Sequence, residues 1–425
     1  MEIGSIAVIA AGLLAFSLVS GRLRDSVLTP PLAFIAFGFV ISRSGLGMAD
    51  ISPGHSAIHL VAELTLILVL FSDAARIDLR HVRRDHNLPV RMLTIGLPLT
   101  ILFGGMLASL MFPAFSVWEA ALLAALLAPT DAALGQSVVS AAAVPVRVRQ
   151  AINIESGLND GIALPAVLLF ASIAAGVAAA DAPDWLRFTL LQVTLGPLCG
   201  ALLGYAGARL LDTAAERAWA SESFQGIGIL ALAVFVYVFT EFIGGNGFIA
   251  AFIGGMVFGN TLRHPCNFLF EFMETEGQLL VLITFLLFGA VLLPDALPQV
   301  DASLIVYALL SLTLVRMIPT AMALMGTRLR VPTTLFLGWF GPRGLASVLF
   351  VLLILETAAV PHREELLAIT VITVALSALL HGITAAPIAA LYGRRCARMK
   401  GLEEHRPAAE LPLREGHRHD YTKRS

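Results

Sequence analysis

About thirteen stretches of this chain are apolar for long enough to cross a bilayer, and most of the connections between them are short. A segment crossing hydrocarbon must satisfy its own backbone hydrogen bonds, which makes each stretch a helix. The chain therefore reads as an all-α polytopic membrane protein, a compact bundle rather than spans joined by large domains. The expected spans are 3–20, 28–48, 57–76, 90–112, 116–142, 151–178, 187–210, 224–243, 246–262, 276–293, 302–325, 333–356 and 364–392. Charged residues make up only 14% of the chain, against roughly 25% in a soluble domain.

The first run, Ile3 to Val19, follows Glu2 rather than a basic residue, and Arg22 and Arg24 come after it. That order predicts a retained first helix with its N-terminus outside, not a cleaved leader. With the loops then alternating, the cytoplasmic ones carry most arginines, among them Arg76, Arg80, Arg83, Arg84, Arg147, Arg149, Arg328 and Arg330. The external loops carry only Arg43, Arg187 and Arg363. This asymmetry is the one the positive-inside rule requires, and a missed span would scramble it. From Gly393 the chain turns polar, charged and aperiodic, which predicts a disordered cytoplasmic tail. His405, His417 and His419 in that tail are solvated residues on this reading rather than metal ligands. Cys199, Cys266 and Cys396 form neither a disulfide framework nor a metal pattern. A net charge of -2 gives no basis for a nucleic-acid partner.

Against this apolar background the sequence Glu155-Ser156-Gly157-Leu158-Asn159-Asp160 stands at the head of the sixth span. Ionisable residues in such a place are unfavourable, and in membranes they mark ion or proton paths. On a helix, Glu155 and Asn159 are i, i+4 neighbours, as are Ser156 and Asp160. One stripe thus carries oxygen ligands suited to a small hard cation. Two other spans contain their own breaks, at Pro129-Thr130-Asp131 in the fifth and Gly341-Pro342-Arg343-Gly344 in the twelfth. Open backbone at membrane depth is tolerated only where it is buried in protein or lines a cavity. Counted as six spans, one linker and six more, the breaks fall in the fifth span of each half, and the odd linker inverts the halves. Paired interrupted helices at matching positions of inverted repeats point to a transporter's binding site.

These residues resemble the NhaP/NHE-type monovalent cation:proton antiporters, from the first span to about Tyr392. The resemblance rests on Thr130-Asp131, Glu155-Ser156-x-x-Asn159-Asp160 and the motif around Arg343. The segments GNGFIAAFIGGMVFGN (Gly245 to Asn260) and TFLLFGAVL (Thr284 to Leu292) add to it. The chain departs from the family at Ala132, where proline often follows Thr-Asp, although Pro129 and Gly135 remain to unwind the helix. The resemblance implies an antiporter domain over 1–392, with a core of spans 3–6 and 10–13 and the other spans forming the dimer and scaffold part. Residues 393–425 form the tail. It implies a homodimer in the cell (inner) membrane, no enzymatic activity, and no cofactor beyond the transported cation and proton.

Residue by residue, the resemblance makes Asp160 the carboxylate that holds either the cation or a proton. Ser156 and the backbone of Thr130 supply further oxygens, with Asp131 helping directly or through water. Glu155 and Arg343 form a buried ion pair that Asp73 joins. Asn159 stands where electrogenic relatives have a second aspartate, which implies one cation exchanged for one proton. Elementary electrostatics points the same way. A desolvated carboxylate resists ionisation, so proton and cation compete for the same oxygens. Exchange is then strict if the protein reorients only once that charge is neutralised.

Other readings stay open for single residues. Asp131 fits a cap at a helix break, Glu155 fits the opening turn of the sixth helix, and Asp73 and Glu241 fit solvated ends. Arg316 in the eleventh span fits a snorkelling or structurally paired arginine. Sodium, lithium and potassium suit the same oxygens, with sodium foremost. The alternative function is a sodium-coupled solute symporter on a similar inverted repeat. It would need an organic-substrate cluster that the second break does not offer beyond Arg343. An intramembrane protease would need its aspartates in Tyr-Asp or Gly-x-Gly-Asp settings, which are absent here.

Overall fold

The computed structural model describes residues 3–23, 28–48, 56–77, 79, 87–131, 134–176, 182–263, 277–357, 360–398 and 404. All regular structure among them is helical. The first four helices are α1 (Ile3–Leu23), α2 (Pro30–Ile41), α3 (Ser56–Ala75) and α4 (Asn87–Met111). Next come α5 (Val117–Leu126), the short α6 (Gln136–Val139) and α7 (Val146–Ala174). The middle of the chain forms α8 (Ala182–Glu216), α9 (Glu222–Phe242) and α10 (Gly247–Thr261). Then follow α11 (Gln278–Gln299), α12 (Ala302–Leu312) and α13 (Leu314–Ala323). Last are α14 (Val331–Trp339), α15 (Leu345–Thr357) and α16 (Arg363–Ala397).

Each expected apolar run falls on one of these helices or on a divided pair. Among the described residues, seven helices are long and apolar enough to cross a membrane, and Pro30–Ile41, Val117–Leu126 and Gly247–Thr261 are shorter apolar helices. Both expected breaks are present. The fifth run stops as α5 at Leu126 and resumes as α6 at Gln136; the twelfth stops as α14 at Trp339 and resumes as α15 at Leu345. A third division was not anticipated: the eleventh run splits at Thr313, whose φ of -108° and ψ of -91° are not helical.

The glycine-rich tenth helix earns its composition by packing. A Cβ at Gly255 or Gly259 would collide with the backbone carbonyls of Phe71 and Ala75, so α3 lies directly on α10. On the other side of α10, α8 approaches as closely, with Gly200 and Gly204 set against the backbone of Ala250 and Gly254. Small residues allow this backbone contact where no hydrophobic force separates helix from lipid. The main core is built by α2, α3, α4, α5, α7, α10, α11, α12, α15 and α16, around side chains such as Phe285, Phe288 and Phe350. The breaks sit within that layer.

The helix α16 continues past Gly393, through Arg394 and Arg395 to Ala397. Of the residues beyond, only Arg398 and Glu404 are among those described. The tail histidines His405, His417 and His419, together with Ala132, Cys266, Arg24, Arg80, Arg83 and Arg84, lie outside the described residues.

Candidate cation site at the crossed helix breaks

The polar stripe of α7 turns inward. Glu155, Ser156 and Asn159 are buried, while Asp160 keeps partial exposure and lines a small cavity. Asp73, Thr130, Asp131, Ser156 and Asp160 give that cavity its polar wall, and Leu66, Val69, Val281, Leu345, Ala346 and Leu349 complete it. Five elements meet there: α3, the first break, α7, α11 and the start of α15. Among the described residues, its polar side chains all carry oxygens and none that lines it is cationic. Among the described residues no three His, Cys, Asp or Glu side chains converge as ligands of a metal ion. The carboxylates therefore share a cavity without closing into a cage.

Thr130 is the hinge of the ligand set. Its hydroxyl lies 3.0 Å from Ser156 Oγ and accepts a 2.5 Å hydrogen bond from Asn159 Nδ2. Asn159 was expected among the cation-binding residues, but it does not line the cavity. It stands behind Thr130 and orients it, because its amide spends its donor on the threonine hydroxyl.

The two breaks cap each other. The backbone N–H of Asp131 donates to the carbonyl of Pro342 at 2.7 Å, and the Asp131 carboxylate accepts from the N–H of Leu345 at 2.9 Å. Leu345 is the first residue of α15, so an anionic side chain meets the positive end of a helix. A Cβ at Gly344 would collide with this carboxylate, which explains the glycine there. In return, Arg343 Nη1 donates to the carbonyls of Ala128 at 2.6 Å and Pro129 at 3.4 Å. Those carbonyls follow the C-terminal end of α5, which leaves acceptors without intrahelical donors. Asp131 thus serves as a cap and as part of the cavity wall, joining two readings the sequence kept apart.

The expected ion pair needs correction. Glu155 does not bind Arg343; it binds Arg316 of α13, whose Nη2 lies 2.6 Å from Oε1 and 2.7 Å from Oε2. Both side chains are almost wholly buried, at 2% and 3% exposure. Arg343 is occupied instead by the open carbonyls of the first break, which have a stronger claim on it because they have no helical donor. Arg316 lies against the second break, where a side chain at Gly341 would crowd its guanidinium. Asp73, expected to join the pair, lines the cavity, while Arg316 binds Glu155 and Arg343 binds the carbonyls of Ala128 and Pro129. Glu241 is exposed, and accepts from the N–H of Gly247 at 2.7 Å at the start of α10.

The sequence pattern described as "Sodium/hydrogen exchanger, transmembrane" matches residues 6–391. The K(+)/H(+) antiporter NhaP of Alkalimonas amylolytica is 24% identical over 399 residues, covering 93% of this chain and 67% of that protein. The K(+)/H(+) antiporter NhaP2 of Shewanella sp. (strain ANA-3) is 26% identical over 68% of this chain and 49% of its own length. The Na(+)/H(+) antiporter 2 of Zygosaccharomyces rouxii is 27% identical over 78% of this chain and 43% of its own length. The chain thus spans between about two fifths and two thirds of these relatives. In fold it resembles the sodium proton antiporter MjNhaP1 of Methanocaldococcus jannaschii, with a TM-score of 0.75 and 19% identity over 92% of this chain and 98% of that one.

Proposed function

Because the chain belongs to the transmembrane sodium/hydrogen exchanger family, which comprises transporters and not enzymes, we propose that it exchanges one monovalent cation for one proton across the cell membrane. The observation that carries this reading is the cavity wall itself. Asp160, Asp131 and Asp73 share it with the hydroxyl-bearing Thr130 and Ser156, and among the described residues no cationic side chain lines the cavity. Such a wall is neutralised by a proton or by a small cation, and the two compete at Asp160. Asp131 is held at the second break by Leu345, and of the two remaining carboxylates Asp160, on the same face of α7 as Ser156, is the one we assign to change state.

Alternating access follows if the bundle reorients only when Asp160 is neutral, since an empty carboxylate is unfavourable in hydrocarbon. Asn159, uncharged and bonded to Thr130, adds no second titrating group beside Asp160. That supports electroneutral exchange. The proposed topology is thirteen spans in a 6+1+6 inverted repeat, N-terminus outside and C-terminus cytoplasmic, in a homodimer. Its core comprises spans 3–6 and 10–13.

Sodium is the first candidate, with lithium also suited. Potassium is the second reading, favoured by the K(+)/H(+) names of two similar proteins. The test is proton movement in proteoliposomes under an imposed pH gradient, with the three cations added in turn and the voltage clamped or free. Cation-triggered dissipation, insensitive to voltage and abolished in Asp160→Asn, is the expected result. Retained exchange in a folded Asp160→Asn protein would overturn the site. Voltage sensitivity would reject one-for-one exchange, and no response to any cation would favour a solute symporter.

A further inference from the structure

Two polar side chains of α16 play no part in the cavity, yet both are buried and four residues apart: Ser377 at 0% and His381 at 1% exposure. An i, i+4 pair lies on one helix face. Ser377 Oγ accepts a 2.7 Å hydrogen bond from the backbone N–H of Arg343. His381 Nε2 lies 2.9 Å from the carbonyl oxygen of Trp339. A carbonyl cannot donate, so the bond to Trp339 forms when Nε2 carries the hydrogen. The Nδ1 side faces Ser377, 3.2 Å from its hydroxyl and 2.9 Å from its carbonyl. Trp339 is itself fixed to α16, donating from Nε1 to Thr384 Oγ1 at 3.0 Å and packing its ring 5.0 Å from the imidazole.

Trp339 is the last residue of α14, and Arg343 is two residues before α15 begins. The two contacts therefore grip opposite lips of the second break from one face of one helix. What the lips hold in turn is the cation site: Pro342 and Leu345 bond Asp131, and the Arg343 guanidinium bonds the carbonyls just before Thr130.

We propose that Ser377 and His381 are positioning residues for the cation site, acting through the second break on Asp131 and Thr130. Neither touches the cation. Their removal lets the lips drift, which loosens the oxygen geometry at the first break while leaving Asp160 in place. The transport part of this inference rests on the cation:proton reading above; its structural part does not.

The decisive measurement pairs hydrogen exchange at the amides of 340–345 with proteoliposome kinetics, in wild type, His381→Ala, His381→Gln, His381→Asn and Ser377→Ala. Glutamine places a donor near the position of Nε2, and asparagine does not reach it. His381→Ala and Ser377→Ala should speed exchange of these amides. They should also raise the apparent cation KM about threefold to tenfold, the equivalent of one net hydrogen bond, with kcat little changed. His381→Gln should restore both properties, and His381→Asn should not. Unchanged protection in the folded alanine variants overturns the proposal, as does a glutamine variant no better than alanine. Should His381→Ala fail to fold, Ser377→Ala and the Gln–Asn contrast decide alone. If wild type exchanges no cation, the functional reading falls, while amide protection still judges this one.

Discussion

The two helix breaks are alike in backbone and opposite in charge. The first presents Thr130 and Asp131 to the cavity and leaves carbonyls open behind α5; the second presents Arg343 and an open N–H at the head of α15. Each supplies what the other lacks. Taken singly, either break would leave backbone groups unsatisfied at membrane depth, at several kcal/mol each by common estimates. Taken together, the carboxylate answers the positive helix end and the guanidinium answers the carbonyls. The difference teaches a division of labour: the first break gives Thr130 and Asp131 to the cavity wall, while the second holds the first through Pro342, Leu345 and Arg343 Nη1.

The two buried arginines extend this contrast and offer the strongest way to break it. Arg316 neutralises a buried carboxylate, whereas Arg343 satisfies neutral carbonyls. Arg316→Ala strands Glu155 as an uncompensated charge and should cost about 3–5 kcal/mol of stability, read as thermal unfolding in detergent. Adding Glu155→Ala should recover part of that loss, since the two residues are coupled. A Glu155 and Arg316 pair whose losses simply add would refute the bridge.

Arg343→Ala should cost less, about 1.5–3 kcal/mol for its charge-assisted bonds, because no carboxylate is left behind. The ranking of Arg316→Ala above Arg343→Ala is the sharp part of the comparison. Reversal of that order in unfolding experiments would restore the Glu155–Arg343 pair. Asp131→Asn should be milder still for stability, within about 1 kcal/mol, since an amide oxygen can accept from Leu345 and only the interaction of charge with helix end is lost. Its effect should fall on transport, as a raised apparent KM for the cation. An Asp131→Asn protein with unaltered cation affinity would reduce Asp131 to a cap alone.

Much of this arrangement was legible before any coordinates. The apolar runs marked the helices, and proline and glycine beside Thr130-Asp131 and Arg343 marked the breaks. Charge in an apolar span marked Asp160. What spacing could not decide was pairing between distant spans. Glu155 had two arginines to choose from, and the choice turned on which of them the open carbonyls of Ala128 and Pro129 would claim. Asn159 offered equal grounds for facing the cation or Thr130, because a helical repeat fixes a face but not the target of an amide. Ser377 and His381 did carry a signal, as an i, i+4 pair that includes the one histidine of a mainly apolar helix. The division at Thr313 carried little, with no proline or glycine beside it.

The outer ends of the broken helices complete the comparison. α5 is capped locally: Ser116 and Glu119 exchange hydrogen bonds of 3.2 and 2.9 Å, and Glu119 also meets His362 Nδ1 at 2.9 Å. The head of α14 has no side-chain cap from its own N-cap residue, Arg330. Glu404 reaches back from beyond α16 to accept from the Arg330 N–H at 3.1 Å and from Thr333 Oγ1 at 2.8 Å. Ser116→Ala should therefore cost about 1 kcal/mol, largely independent of pH above the carboxylate range.

Glu404→Gln should show the smallest effect and a different pH signature. Burial alone would raise the Glu404 carboxyl, but the Arg330 N–H, the Thr333 hydroxyl and the Arg330 charge outweigh it and hold the group below the usual glutamate range. A carboxyl depressed in the folded state adds stability that is fully present above its unfolded value and fades as pH falls through the lowered one. The gap in melting temperature between wild type and Glu404→Gln should hold at neutral pH and close on acidification through that range. A gap that widens on acidification would mean the carboxylate is not held by these donors, and that the second break is anchored at its outer end by something other than the tail.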